Sequence, residues 1–182
     1  MDDFPKIITK KRVFECPWIS VVESKVRMTR DSTMEEAYYA IEQPDYVSIV
    51  AQIPDGRIPL VRQYRPAVAS FTLELPAGTV DPEETPLAAA KRELLEETGV
   101  RSEEIISLGS FYADTGRLSN LIHVFFAGKC TPVENFSNEP GIEVLFLSPK
   151  QLKESIKEGR FKHQLHVGAL LLATEHLADY RI

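Results

Sequence analysis

The chain has little of what would tie it to a membrane, a secretory route or a polyanion. Its 182 residues include only two cysteines, Cys16 and Cys130. Two unrelated thiols in a chain of this length fit a reducing cytoplasm, not a disulfide scaffold. No apolar run approaches membrane-spanning length, and the N-terminal MDDFPKIITKKRVFECP is charged where a secretory signal would be apolar. Basic residues are outnumbered, 21 Lys and Arg against 27 Asp and Glu, giving a formal net charge of −6. That balance argues against a general nucleic-acid partner, which would call for a basic face. It leaves room for an enzyme of anionic phosphates, because a bound cation reverses the local field. Repeats, low-complexity tracts and long linkers are absent, and Trp18 is the single tryptophan. What remains is an ordinary globular composition, 43% hydrophobic and 26% charged, long enough for one domain with a sizeable core, or one domain plus a small appendage.

Against that background one stretch stands out, GTVDPEETPLAAAKRELLEETGV, residues 78–100. Thr85 is a plausible N-cap, Pro86 suits the first helical position, and Gly99 reads as the stop. Leu87, Ala88, Ala90, Leu94 and Leu95 recur at helical spacing and predict an apolar face. The helix closes on Glu93, Glu96 and Glu97, which are neighbours on one surface by their three- and four-residue spacings. Such like-charge pairs cost roughly a few tenths of a kcal/mol each in an exposed helix, and the C-terminal dipole adds to the penalty. Arg92 can relieve part of this charge but cannot offset three anions. A hard divalent cation, Mg²⁺ or Mn²⁺, prefers oxygen ligands of this kind.

The rest of the chain reads as strands before and after that helix. IITKKRVFEC, ISVVESKVRM and EEAYYAIEQ predict an antiparallel strand segment over residues 1–44, separable from a domain over 45–182. YVSIVAQI and IPLVRQYRPAV flank an Asp55-Gly56 turn and read as a hairpin. SFTLELPAG leads into the helix; IISLGSFYA, LIHVFFAGK and IEVLFLS follow it as strands. Ser148-Pro149 opens a helix that stops at Gly159, and a last helix over about 162–178 carries Leu165, Ala169, Leu172, Ala173 and Leu177 on one face. The class is α+β, with a mixed sheet between the acidic helix and the two late ones. His163 and His166 lack an adjacent acid in sequence and read as exposed or bundle-edge residues; His123 reads as a satisfied core histidine.

Gly78, Glu84, Arg92, Glu93, Leu94, Glu96, Glu97, Gly99 and Val100 fill every specified place of G-x5-E-x7-R-E-U-x-E-E-x-G-U, with U aliphatic. The stretch thus resembles the Nudix box. The resemblance implies an α/β/α sandwich and a metal-dependent hydrolase of a nucleoside diphosphate linked to another moiety. It implies Glu93 and Glu97 as metal ligands, Glu96 as a direct or water-mediated one, and the backbone carbonyl of Ala77 as another. Glu84 and Arg92 would belong to the catalytic machinery as braces of loop and helix.

Outside the box, VRQYRPAV and LELPAG, with Arg65 and Glu74, look like the nucleoside diphosphate sugar branch, ADP-ribose pyrophosphatases above all. That likeness implies that Arg65 binds the diphosphate with Glu74 as a further substrate-binding residue, that Trp18 stacks on the base, and that the N-terminal strands form a homodimer. The general base would be a glutamate of a late loop, here Glu139, with Glu134 behind it. Asp114-Thr115-Gly116 stands where the ADP-ribose group commonly has Ser-Pro-Gly, which keeps GDP-mannose and other sugars open. Arg117 or Asn120 in that loop could touch sugar or phosphate. Two rival readings are a non-catalytic sensor of such sugars, which would usually have lost box carboxylates, and a hydrolase of dinucleoside polyphosphates or oxidised nucleotides.

Overall fold

The computed structural model describes residues 4–176. The chain divides into two compact units, the first running to Asp45 and taking in Tyr112–Leu121, the second holding Tyr46–Phe111 and the chain from Ile122 onward. A division at residues 44/45 gives the Tyr112–Leu121 segment to the second unit; in space it joins the first. Ile41 N–H donates to the Arg117 carbonyl at 2.7 Å and Leu121 N–H donates to the Asp45 carboxylate at 2.7 Å, so the segment is stitched to the end of the first unit by hydrogen bonds at both places.

The first unit is an antiparallel sheet of β1 (Lys6–Glu15), β2 (Ser20–Arg27) and β3 (Glu36–Glu42), with β2 in the centre. β1 is exposed along its whole length. Trp18 sits in the turn between β1 and β2, which is closed by Cys16 N–H on the Ile19 carbonyl.

The second unit is built on two sheets. β10 (Ile142–Leu147), β5 (Ile58–Arg65) and β6 (Ser70–Glu74) form an antiparallel one. β7 (Ala77–Thr79), β4 (Tyr46–Ala51), β9 (Leu121–Pro132) and β8 (Val100–Tyr112) form a mixed one, in which β4 runs parallel to β9 and antiparallel to β7. Alternation along β4 separates two cores. Val47, Ile49 and Ala51 pack with Ala89, Ala90 and Leu94 of α1 (Pro86–Thr98). Val50 packs with Leu152 of α2 (Pro149–Lys157) and with Ala169, Leu170 and Ala173 of α3 (Gln164–His176). The acidic helix therefore lies on one face and the late helices on the other, which is the sandwich expected from the sequence.

Three details differ from the sequence reading. β4 and β5 are not a hairpin. The turn is there, with Ile53 N–H on the Arg57 carbonyl at 3.0 Å and Gly56 at a φ of 84°, but Gln52 N–H goes to Ala127 of β9. β4 is buried from Val47 to Ala51 and β5 from Ile58 to Val61, so side chains on both faces are covered there, and each strand is enclosed by its own sheet partners. The buried side of α1 is also rotated from its expected position: Ala89, Ala90, Leu94, Glu97 and Thr98 are buried, while Leu87 is 41% exposed. Two alanines let the helix approach β4 closely, and that rotation carries Glu97 inward. Finally, α3 ends at His176 among the described residues, and Leu177 and Ala178 lie outside them.

The helix ends are set by local chemistry. Thr85 accepts the Ala88 N–H, Gly99 takes the left-handed conformation at a φ of 66°, and Ser148 with Gln151 forms a reciprocal capping box on α2. Leu94, 1% exposed, is the largest side chain holding α1 to the sheet. Leu94→Ala is expected to lower stability by about 2–5 kcal/mol, measured by urea unfolding; a loss well under 1 kcal/mol would show that α1 is held by something else.

Candidate active site

The loop before α1 and the last two turns of α1 converge on one carboxylate cluster, with Arg92 at its centre. Arg92 donates from Nε to Glu84 Oε1 at 3.1 Å and from Nη2 to Glu84 Oε2 at 2.9 Å, a two-pronged grip. Its Nη2 also reaches the Thr79 carbonyl at 3.0 Å, and its Nη1 reaches Glu93 at 2.6 Å and Glu96 at 3.2 Å. The guanidinium pKa is raised far above its ordinary value, first by the Glu84 bonds, and Glu84 is lowered in return by Arg92. One cation therefore ties the loop to the helix and aligns two of the three helix carboxylates.

The third carboxylate, Glu97, faces inward and accepts the Ala77 N–H at 2.9 Å. Burial pushes its pKa up to about 8, with the Ala77 bond opposing and the Glu93 charge reinforcing the shift. Glu93 is raised as well, first by burial, with Arg92 opposing and the charges of Glu96 and Glu139 adding to the rise. Glu96 is the exposed member, its side chain 54% accessible. Gly78 has no room for a side chain, because a Cβ there would overlap the Glu93 carboxylate. The donors are all oxygens, two of them withdrawn from water, and one cation, Arg92, is shared among Glu84, Glu93 and Glu96 and makes no hydrogen bond to Glu97 among the described residues, a set that fits a hard divalent cation.

Arg65 stands beside this cluster, close enough for its charge to lower the Glu97 pKa. Its Nε and Nη2 donate to Glu74 at 2.9 and 2.7 Å, so this fork is already engaged. Glu74 is 2% exposed, also accepts the Thr72 hydroxyl at 2.5 Å, and is held down to about 2 by Arg65 and Thr72 against the cost of burial. A direct ligand contact by Glu74 does not fit that enclosure; it braces Arg65.

His166 overturns its sequence reading. It is 1% exposed, and its Nδ1 accepts the Leu75 N–H at 3.0 Å. Burial lowers its pKa to about 3, in accord with an amide hydrogen occupying Nδ1. His163 stacks on it with ring centroids 3.7 Å apart, and their nitrogens with a Glu74 oxygen lie within 4.8 Å of one another. The acid missing from the local sequence is thus supplied by a distant strand. Stacked rings point their in-plane lone pairs side by side, and Arg65 already neutralises Glu74, so the trio suits a brace better than a cation cage. His123 is half-buried, its Nδ1 2.7 Å from the Ser110 hydroxyl.

The other residues singled out from sequence are scattered. Glu139 is exposed on the loop before β10, and its charge is felt by Glu93; Glu134 is exposed on the same loop. Trp18, 79% exposed, and Arg117, also exposed, belong to the first unit; Trp18 is not a core residue of this chain. Asn120 is buried and accepts from Gln43 at 3.2 Å, a structural duty in place of a ligand contact. Both cysteines are free, Cys130 being buried.

A pH response follows from Glu97. Its folded pKa of about 8 lies above the ordinary value of 4.5, so the folded chain holds a proton that the unfolded chain releases, and stability without metal falls as pH rises through that window. Glu74, held at about 2, gives its full contribution above the ordinary carboxylate range and loses it only as pH falls toward 2. In a chelator, the melting temperature is expected to be lower at about pH 8 than at about pH 5.5. Glu97→Gln should flatten that difference and a divalent cation should shrink it. Equal slopes in wild type and Glu97→Gln would contradict the assignment.

The comparisons agree with the geometry. An ADP-ribose pyrophosphatase of Bacillus subtilis is 28% identical over 129 residues, covering 71% of this chain and 69% of that protein. A GDP-mannose pyrophosphatase of Escherichia coli is 32% identical over 131 residues, covering 66% and 68%. A solved structure described as an ADP compounds hydrolase superposes with a TM-score of 0.82 at 23% identity, over 97% of this chain and 95% of that one; at that identity it speaks for the fold. The pattern of the NUDIX domain matches residues 42–166, and with the box residues gathered on one helix end, the chain belongs to the Nudix family.

Proposed function

We propose that this protein is a divalent-metal-dependent pyrophosphatase of nucleoside diphosphate sugars, yielding a nucleoside monophosphate and a sugar phosphate. The observation that carries the reading is the pairing of two carboxylates withdrawn from water, buried Glu97 and half-buried Glu93, with an arginine, Arg65, whose charge reaches Glu97. A diphosphate needs both: a cation held by carboxylates for one set of its oxygens and a fixed guanidinium for another. The names of the relatives, an ADP-ribose and a GDP-mannose pyrophosphatase, support the substrate class.

Glu93, Glu97 and the Ala77 carbonyl would hold Mg²⁺ or Mn²⁺, with Glu96 reaching it directly or through water. When bound, such a cation neutralises the charge of the diphosphate and acidifies water. Arg92 and Glu84 keep the carboxylates aligned. Arg65, anchored by Glu74 through Nε and Nη2, offers its remaining Nη1 edge to a phosphate oxygen. Glu139 takes the proton of the attacking water; its charge is sensed by Glu93, which supports that place for a base. Trp18 and Arg117 are the candidates for base and sugar contacts.

The first unit supplies a homodimer interface. Ile7, Val13 and Phe14 of β1 are 59%, 46% and 53% exposed, and a three-stranded sheet with an uncovered apolar edge invites pairing. Light scattering should give twice the chain mass, and Phe14→Glu the single mass; a monomeric wild type would refute this. The free thiols support a cytoplasmic location, which cell fractionation tests.

Turnover against ADP-ribose, GDP-mannose, ADP-glucose and dinucleoside polyphosphates tests the whole reading. Turnover of at least one sugar nucleotide should require added metal. Glu97→Gln should lower kcat by about 100-fold or more and Glu139→Gln by about 100-fold. Binding without turnover would favour a sensor instead, and a Glu139→Gln variant near wild type would remove that residue as the base.

A further inference from the structure

Gly99 does more than end α1. A Cβ on it would come within 2.5 Å of Phe136 Cδ1 and 2.9 Å of Phe136 Cβ. The Phe136 ring therefore rests on bare backbone at the C-terminus of the helix that carries Glu93 and Glu97. Nearby, Val133 N–H donates to the Gly99 carbonyl at 2.7 Å, fixing the entry of the same loop to the same residue. Between these ties and β10, residues 134–141 are Glu, Asn, Phe, Ser, Asn, Glu, Pro and Gly. Phe136 is half-buried while Glu134, Asn135, Ser137, Asn138, Glu139 and Pro140 are exposed. The chain reverses at Asn135, with a φ of 57°, and Ile142 N–H closes a turn on the Glu139 carbonyl at 3.0 Å.

We infer that Phe136 is a positioning residue: seated on Gly99, it fixes the loop that presents Glu139 to the carboxylates of α1. The inference rests on the proposed role of Glu139. An exposed polar loop has little to order it, since holding each residue in one conformation costs entropy that its few contacts do not offset. A single aromatic plug on a rigid helix end supplies the missing anchor. Because it sits three residues before Glu139, it governs where that carboxylate lies relative to Glu93. Gly99 is thereby required twice, for its left-handed φ and for the seat it leaves open.

The test is a double-mutant cycle read by steady-state kinetics, with hydrogen exchange on the same proteins. Phe136→Ala should lower kcat by about 10- to 100-fold, the range that a small misplacement of a catalytic group produces. KM and the affinity for Mg²⁺ should change little, because the box carboxylates are untouched. Phe136→Leu, which keeps an apolar plug, should recover most of kcat. In a Glu139→Gln background, Phe136→Ala should cost nothing further, and amides of residues 134–141 should lose protection in Phe136→Ala alone. An equal loss in both backgrounds, or a collapse of Mg²⁺ affinity, would make Phe136 merely structural and overturn the inference. Unchanged exchange in Phe136→Ala would overturn it too. A Glu139→Gln variant that turns over normally would instead sink the base assignment; loss of protection in Phe136→Ala would still establish the anchor, but not its catalytic role.

Discussion

Glu97 is a carboxylate on the inner face of a helix, at the helix end where negative charge is least welcome, with one backbone N–H as its close partner. Everything around it can be understood as a response to that placement. Ala89 and Ala90 bring α1 near β4 and turn Glu97 inward. Arg92 aligns Glu93 and Glu96 but does not hydrogen-bond Glu97 among the described residues. Desolvation raises the pKa of Glu97 to about 8 and that of Glu93 in the same direction. The site is thus short of positive charge as protein alone, a shortage that the divalent cation of the proposed reaction would make good.

The supports of the site come from every part of the second unit. β7 delivers the Ala77 N–H, β5 and β6 deliver the Arg65–Glu74 pair, and α3 delivers His166 to the Leu75 N–H between Glu74 and Ala77. A neutral imidazole suits that place, because its bare Nδ1 accepts an amide hydrogen where a protonated ring would repel it. Burial keeps the ring neutral. The two faces of the sandwich are therefore joined at the segment 74–77, which holds Glu97 through the Ala77 N–H on one side and Arg65 through Glu74 on the other.

Much of this was readable from the sequence because the box residues do local work. Glu84, Arg92, Glu93 and Glu96 bond to one another within thirteen residues, Thr85 caps its own helix, and Ser148 caps the next. What was misread or missed shares another cause. His166 meets Leu75 across 91 residues, Asn120 meets Gln43 across 77, and Phe136 meets Gly99 only after β8 and β9 have returned the chain. The Asp55-Gly56 turn advertised a hairpin, yet strand partners are chosen by burial on both faces, which periodicity in one strand does not report. The face of α1 was misplaced because a hydrophobic count favours Leu87 over Ala89, and it gives no reason for a glutamate to be inside.

The central claim is that Glu97 gives up its proton to admit a divalent cation. Calorimetric titration of Mg²⁺ at about pH 7, repeated in buffers of different ionisation enthalpy, measures that proton directly. The account predicts release of close to one proton per protein chain on binding in the wild type, absent in Glu97→Gln together with most of the affinity. Binding of equal strength without proton release, or unchanged release in Glu97→Gln, would contradict it.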